Sequence, residues 1–170
     1  MEPLIGLVGV ILGFSLGEIS RIIRESRRKR KLKSVLFSEL QSLISLIKQK
    51  SDHIQLIIDS LSKKVITPGQ TVGILEIGYK NNITDLYNHL TVKERNCLHI
   101  IYERLRITNN EINQFESSIK SDIKEKAFED PYRIYRVRFE KLKESNELVL
   151  KLIDSMLSKN PIDVMEIDFK

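Results

Sequence analysis

Residues 36–61 read LFSELQSLISLIKQKSDHIQLIIDSL. Apolar side chains fall at Leu36, Leu40, Leu43, Ile47, Ile54, Ile57 and Leu61, with Lys50 in the one remaining place, so the steps run 4, 3, 4, 3, 4, 3, 4. A strand would repeat every second residue. This spacing draws one stripe along a helix, the seam of a bundle or coiled coil. Lys50 in that seam would fix register or meet an acid on a neighbouring helix. The simpler expectation is a stem that packs while its ammonium reaches water.

Upstream, neither Gly nor Pro interrupts residues 18–66, so the same helix is predicted to continue back through a basic block. Between Arg21 and Lys33 lie eight cations, Arg21, Arg24, Arg27, Arg28, Lys29, Arg30, Lys31 and Lys33, against one acid, Glu25. The block is net +7 and residues 1–20 contribute −2 through Glu2 and Glu18, so with +5 overall, residues 34–170 balance to zero. A general nucleic-acid binder spreads its basic stripe over the fold; here the excess sits in one collar.

Before the collar, Pro3 to Gly17 reads PLIGLVGVILGFSLG, without a charge. Fifteen residues at ~1.5 Å each span roughly 22 Å, and extension through Ile19, Ile22 and Ile23 reaches roughly 30 Å, the thickness of a hydrocarbon core. Glu18 and Arg21 fall near one end of that span, where they can reach headgroups. A cleaved secretory signal would carry its cations before the apolar run instead of after it, although Ser15-Leu16-Gly17 mimics a cleavage site. A buried core helix is the other alternative. Cations abutting an uncharged run favour a membrane anchor with its N-terminus outside and its C-terminal domain cytoplasmic, in a cell (inner) membrane crossed once. Arg27, Arg28, Lys29, Arg30 and Lys31 would then meet anionic lipid headgroups.

At 100° per residue Gly6, Gly9, Gly13, Gly17 and Ser20 share an arc of about 80°, with Leu7, Ile11, Phe14 and Glu18 opposite. Small residues on one face let helix backbones approach in lipid, where packing decides association, so these five are candidate self-association positions. Several spans packed this way can enclose a path that one span cannot. Glu18, Arg21 and Arg24 are the residues expected to line its inner end and set ion preference. Alternatively, Glu18 is an interfacial carboxylate paired with Arg21 one turn on.

Downstream, Thr67-Pro68-Gly69-Gln70 is a turn. Val72, Leu75, Tyr79, Ile83, Leu86 and Leu90 keep helical spacing, weakened at the start by Gly73 and Gly78. Thr91-Val92-Lys93-Glu94 is a capping box ahead of Leu98, Ile101, Leu105, Ile112, Phe115, Ile119 and Ile123, a helix ending near Phe128. Asp130-Pro131 starts another, with Tyr135, Leu142, Val149, Leu152, Ile153 and Met156 as its stripe, and Asn160-Pro161 stops it. The expected fold is all-α: residues 1–23 an anchor, 24–34 a basic juxtamembrane helix, 35–160 a bundle of about four helices, 161–170 an extended tail. Ile162 to Phe169 alternates loosely between apolar and acidic residues; a frayed tail is expected there before an arm that docks on a neighbouring subunit.

With 41% hydrophobic and 30% charged residues the chain has the composition of a folded domain, and four Pro with seven Gly suit long helices. One cysteine, Cys97, excludes a disulfide framework within one chain. His89 and His99 flank it, but a Cys in an apolar stripe packs far more often than it reacts. No phosphate loop, nucleophile elbow or His-Glu-x-x-His pair occurs, so no catalytic residue, metal or cofactor is assigned. The one ligand-like stretch interleaves Arg133, Arg136 and Arg138 with Tyr132, Tyr135 and Phe139, followed by Lys141 and Lys143. Guanidinium forks grip phosphate and aromatic faces stack on bases, which suits a nucleotide or a short single-stranded nucleic acid. On the helical wheel most of these cations also flank the Tyr135–Leu142 stripe, as solvated borders of a buried face do.

In layout, a short glycine-stacked span, a basic collar and a small helical cytosolic domain resemble the single-span membrane effectors of bacterial anti-phage defence, the Hailong-type channel effectors among them. That resemblance implies a homo-oligomeric channel, gated by a nucleotide-derived or oligonucleotide ligand from a partner enzyme, that depolarises the membrane during infection. The alternatives are a membrane-tethered helical module that recruits a cytosolic partner, and a phage-encoded exclusion or lysis-type factor.

Overall fold

The computed structural model describes residues 2–69, 71–74, 77–87 and 89–164, with side-chain surroundings from Gly13 onward. It is all-helical: α1 (Glu2–Ser62), α2 (Ile77–Tyr87), α3 (Val92–Glu125) and α4 (Pro131–Leu157). At ~1.5 Å per residue the 61 residues of α1 extend about 90 Å, much longer than the bundle they join.

Only the second half of α1 packs. Its seam is buried at all eight predicted positions, Leu36 to Leu61. Leu36–Ile47 share one core with Leu98–Leu105 of α3 and Val149–Met156 of α4. Ile54–Leu61 share a second with Ile112–Ile119 and Tyr135–Leu142. Residue numbers therefore rise together along α1 and α3 and fall along α4. The bundle is three-stranded, with α3 parallel to α1 and α4 antiparallel to both. Ile123, expected in the α3 stripe, is exposed near the end of its helix.

A parallel α1 and α3 require the intervening chain to run back along the bundle. Lys33 reaches Glu94 at 3.2 Å, so the return from Ser62 covers about 29 residues of α1, or ~44 Å. Three contacts hold this return. Gly69 passes so close to α3 that a Cβ there would lie 2.1 Å from the carbonyl oxygen of Ile112. The Lys50 ammonium donates to Thr71 Oγ1 and the Val72 carbonyl, both at 2.6 Å, and to Asn109 Oδ1. Glu39 then receives the start of α2: Gly78 N–H, Tyr79 N–H (3.2 Å) and the Tyr102 hydroxyl all donate to its carboxylate. A carboxylate there satisfies open amides and complements the helix dipole. Tyr79 stacks on Tyr102 with ring centroids 4.0 Å apart.

Two expectations change at these contacts. The ammonium of Lys50 does not escape to water; the residue is 2% exposed and its three donors have three acceptors. The helix predicted from Val72 starts only at Ile77, because the Val72 carbonyl serves Lys50 and residues 71–74 stay irregular. Leu75 lies outside the described residues.

The predicted caps form as read. Glu94 N–H donates to Thr91 Oγ1 (3.2 Å) and Thr91 N–H to Glu94 Oε2 (2.6 Å), while Asp130 accepts from Arg133 N–H at 3.1 Å. Burial pushes the Glu94 carboxyl up, but the capping bonds and Lys33 bring it to a net lowering. Helix α3 ends at Glu125 and α4 at Leu157, each before its predicted stop, with Lys126 and Lys159 just beyond in the left-handed region (φ 51° and 60°). Residues 161–164 do not fray: Ile162 N–H donates to Ser155 Oγ (3.4 Å), Cys97 Sγ–H to the Ile162 carbonyl (3.2 Å), and Val164 is buried. That start of the tail docks on its own bundle.

The two cores meet at a polar level. Asn146, fully buried on α4, donates to Ser51 Oγ of α1 (3.2 Å) and accepts from Thr108 Oγ1 of α3 (3.4 Å). A buried polar link of this kind specifies register, since a slip would leave each partner unsatisfied.

Desolvation lowers the Lys50 ammonium from 10.5 to about 8. Between those values the unfolded chain holds a proton that the fold has released, so this group makes stability rise with pH. Denaturant titrations from pH 7.5 to 10 are expected to show unfolding free energy climbing in the native chain relative to Lys50→Met. Parallel curves would contradict it.

Candidate functional site

From Gly13 to Arg24, α1 stands clear of the bundle, and from Glu25 to Lys31 only one side of it approaches α2. Every residue from Gly13 to Lys31 is exposed except Glu18, which is half-exposed. Phe14 is 75% exposed, and Leu16, Ile19, Ile22 and Ile23 are open around the helix. Apolar residues on several sides of an unpacked helix do not form one face directed at a core. Among the described residues no helix is long and apolar enough to cross a membrane. Side chains 2–12, most of the uncharged run, lie outside them, and with them the candidate positions Gly6 and Gly9.

The glycines divide into two groups. A Cβ at Gly69 would strike the α3 backbone, and one at Gly78 would lie 2.5 Å from Glu39 Oε2, so the chain's own packing needs both. A Cβ at Gly13 or Gly17 meets nothing within 4 Å. No neighbour within the chain calls for a missing side chain at either position. Gly73 is equally open, but in the irregular stretch.

Electrostatics follow the same division. Glu18 and Arg21 pair at 2.6 Å, the interfacial alternative, and Arg24 Nε–H donates to the Ser20 carbonyl at 3.3 Å. Arg28 reaches across to Asp85 on α2, tying the collar to the bundle. Arg27, Lys29, Arg30 and Lys31 are exposed and make no ion pair among the described residues. Lys29 and Arg28 border a recess of about 280 Å³ with Glu25, Leu32, Asp85 and His89.

The Arg133–Lys143 stretch does not converge on one ligand. Tyr135 is 4% exposed, its hydroxyl donates to Asp122 at 2.7 Å, and its ring meets Phe115 edge-on at 5.8 Å. Burial first, then Asp122, pushes that phenol up to about 12. The ring is core and has no face for a base. Lys143 turns toward α1, donating to Gln55 at 2.8 Å, and Arg136 lies 3.6 Å from Glu140. Arg138 turns toward α3, 3.4 Å from Glu111, and shares a groove with Lys141. Only Arg133 and Tyr132 remain together, in a recess with Lys64 at the far end of the bundle. The cations are borders of a buried stripe, as the wheel alternative reads them.

Cys97 is buried and its thiol is pushed up, by burial first and then by the Asp163 and Glu94 charges, so it remains a thiol bonded to Ile162. No group of His, Cys, Asp and Glu among the described residues is placed to hold a metal ion. Glu39, Asp85, Thr108, Asn109 and Asn146 carry much of the polar structure without a local motif of their own. Comparison with family models, curated proteins and solved structures returns no match.

These glycine environments predict opposite outcomes for one substitution. Gly69→Ala is expected to lower unfolding free energy by about 2 kcal/mol or more, because backbone must move. Gly17→Ala, on an open helix position, is expected to be neutral or stabilising by up to about 1 kcal/mol. Thermal and denaturant unfolding in detergent distinguishes them; equal effects would contradict the assignment.

Proposed function

We propose that the chain is an oligomeric single-span membrane protein whose N-terminal helices pack through their glycine face around a gated ion path. One observation carries this: α1 leaves the bundle as a bare helix, apolar on several sides, open at Gly13 and Gly17, and followed by a cationic collar. Lipid would cover the apolar sides, copies of the chain the glycine face, and anionic headgroups the collar. The collar's charge puts the N-terminus outside and the bundle in the cytoplasm.

Gating follows from the continuity of α1. The helix that forms the bundle seam is the helix that enters the span, with neither Gly nor Pro between residues 18 and 62. A shift in bundle packing therefore tilts or rotates the span as a lever, a rigid-body switch between two packed states. Glu18, Arg21 and Arg24 would ring the inner mouth. An anionic nucleotide-type ligand, supplied by a partner enzyme, would bias the bundle from the Arg133–Tyr132–Lys64 recess. By its likeness in layout to single-span anti-phage effectors, the opened path would depolarise the membrane during infection.

Purified full-length protein in liposomes of mixed neutral and anionic lipid is expected to pass ions, with particle mass in detergent corresponding to several copies. Replacing Gly9, Gly13 and Gly17 by Leu should reduce both the mass and the flux, the flux at least tenfold, while membrane localisation persists. Full-length protein recovered without detergent in the soluble extract would overturn the proposal. So would a monomeric particle. Intact oligomers with unchanged flux in the Leu variant would also overturn the glycine face as the packing surface.

A further inference from the structure

Between the outer faces of α3 and α4 runs a groove of about 500 Å³ that no described element covers. Its floor is Ile100, Ile107 and Leu142, and its walls carry Arg104, Arg138 and Lys141. Ile107 is 46% exposed, an apolar side chain left open within the bundle's length. Of the groove's acids, Glu103 bonds Arg106 at 2.7 Å and Glu111 faces Arg138, whereas Lys141 makes no ion pair among the described residues. The groove suits an apolar side chain flanked by carboxylates. The same chain carries that pattern across the bundle. Leu56 is 59% exposed on the side of α1 turned away from α3 and α4, with Asp52 one turn before it and Asp59 one turn after. Both aspartates are exposed and make no ion pair among the described residues; Asp59 accepts from Gln55 at 2.9 Å. Lys48 and Lys63 stand a further turn away at either end.

The heights of groove and patch also match. Ser51 meets Asn146 at 3.2 Å and Gln55 meets Lys143 at 2.8 Å, which fixes the register of the antiparallel α1 and α4. In that register Asp52 lies level with Ser145, Leu56 with Lys141 and Leu142, and Asp59 with Arg138. The patch and the α4 wall of the groove have the same rise, roughly 10 Å each. Arg104 reaches the level of Asp52 through its bond to Ser145 at 2.9 Å. Copies whose spans cross a membrane in one direction stand at one height, so neighbours present level faces to one another. A contact between two different faces of each copy then repeats around a ring.

We propose that each bundle docks on a second copy of the chain, Leu56 of one seated in the α3/α4 groove of the next, with Asp59 toward Lys141 and Arg138 and Asp52 toward Arg104. Charge complementarity and matched height carry the choice of a second copy as occupant. The docking rests on the shared membrane orientation proposed above and adds a contact between bundles to the glycine contact between spans.

The test uses full-length protein in detergent, in a Cys97→Ser background that keeps the donor to Ile162, with particle mass measured beside the rates. Leu56→Cys combined with Ser145→Cys is expected to link copies into dimers and longer ladders under mild oxidant at least tenfold faster than Leu56→Cys combined with Glu147→Cys, an exposed position on another side of α4. In the first pair, Asp59→Lys or Lys141→Asp alone is expected to slow linking severalfold at low salt, and the two together to restore it. Asp52→Lys, a change confined to the exposed side of α1, is expected to slow it as well. Oligomers that link no faster through the groove pair than through the control would overturn this interface while leaving the span contact standing; a monomeric particle would overturn both. Rates unmoved by either aspartate reversal, or not restored by the paired one, would overturn the charge pairing on which the docking depends.

Discussion

The constraint on which this architecture depends is the parallel arrangement of α1 and α3. Two consecutive long helices joined by a short turn would lie antiparallel; here the chain travels the length of the bundle before α3 begins. That return is not held by the apolar packing of α2 alone, since residues 63–69 and 71–74 are irregular. It is held by a buried ammonium, a glycine pressed against the α3 backbone and a glutamate that receives a helix start. The ammonium and the glutamate both belong to α1, so the longest helix is both core and scaffold for the irregular segment.

The same helix has two parts with different surroundings within the chain. From Leu36 onward its stripe faces two partner helices and its other side faces water. From Gly13 to the collar it has exposed apolar residues on several sides. A continuous backbone joins the two, so the bundle and the segment before it cannot turn independently. Two glycines of the return path, Gly69 and Gly78, meet close intrachain contacts, whereas Gly73 and the projecting helix's Gly13 and Gly17 are open.

Much of the fold was legible because three helices each carry an apolar seam of nearly constant spacing. All eight positions of the α1 seam are buried, with Ile58 buried beside them, and both helix starts formed by the capping chemistry read from Thr91, Glu94 and Asp130. Buried polar residues interrupt each apolar face: Lys50 in α1, Thr108 in α3, and Asn146 and Ser155 in α4. Lys50 is legible in the spacing of its seam, but its partners are not. Hydrogen bonds from Lys50 to Thr71, Val72 and Asn109 span sequence separations of 21, 22 and 59 residues. The ligand-like arginine and tyrosine stretch is dispersed for a related reason. A run of sequence places those residues together, while a helix points them in different directions, and Tyr135 belongs to the inward one.

What the sequence determined by itself is local: which segments are helical, which stripe of each is apolar, where caps begin them, and where an uncharged run meets a cationic collar. Those follow from backbone periodicity, hydrogen-bonding side chains a few residues apart, and the cost of placing charge in apolar surroundings. Tertiary structure alone decided that α3 lies parallel to α1, that Lys50 is enclosed, that Glu39 starts α2, and that Asn146 joins three helices. Each of these rests on atoms far apart in the chain whose polar groups have no other partner once water is excluded.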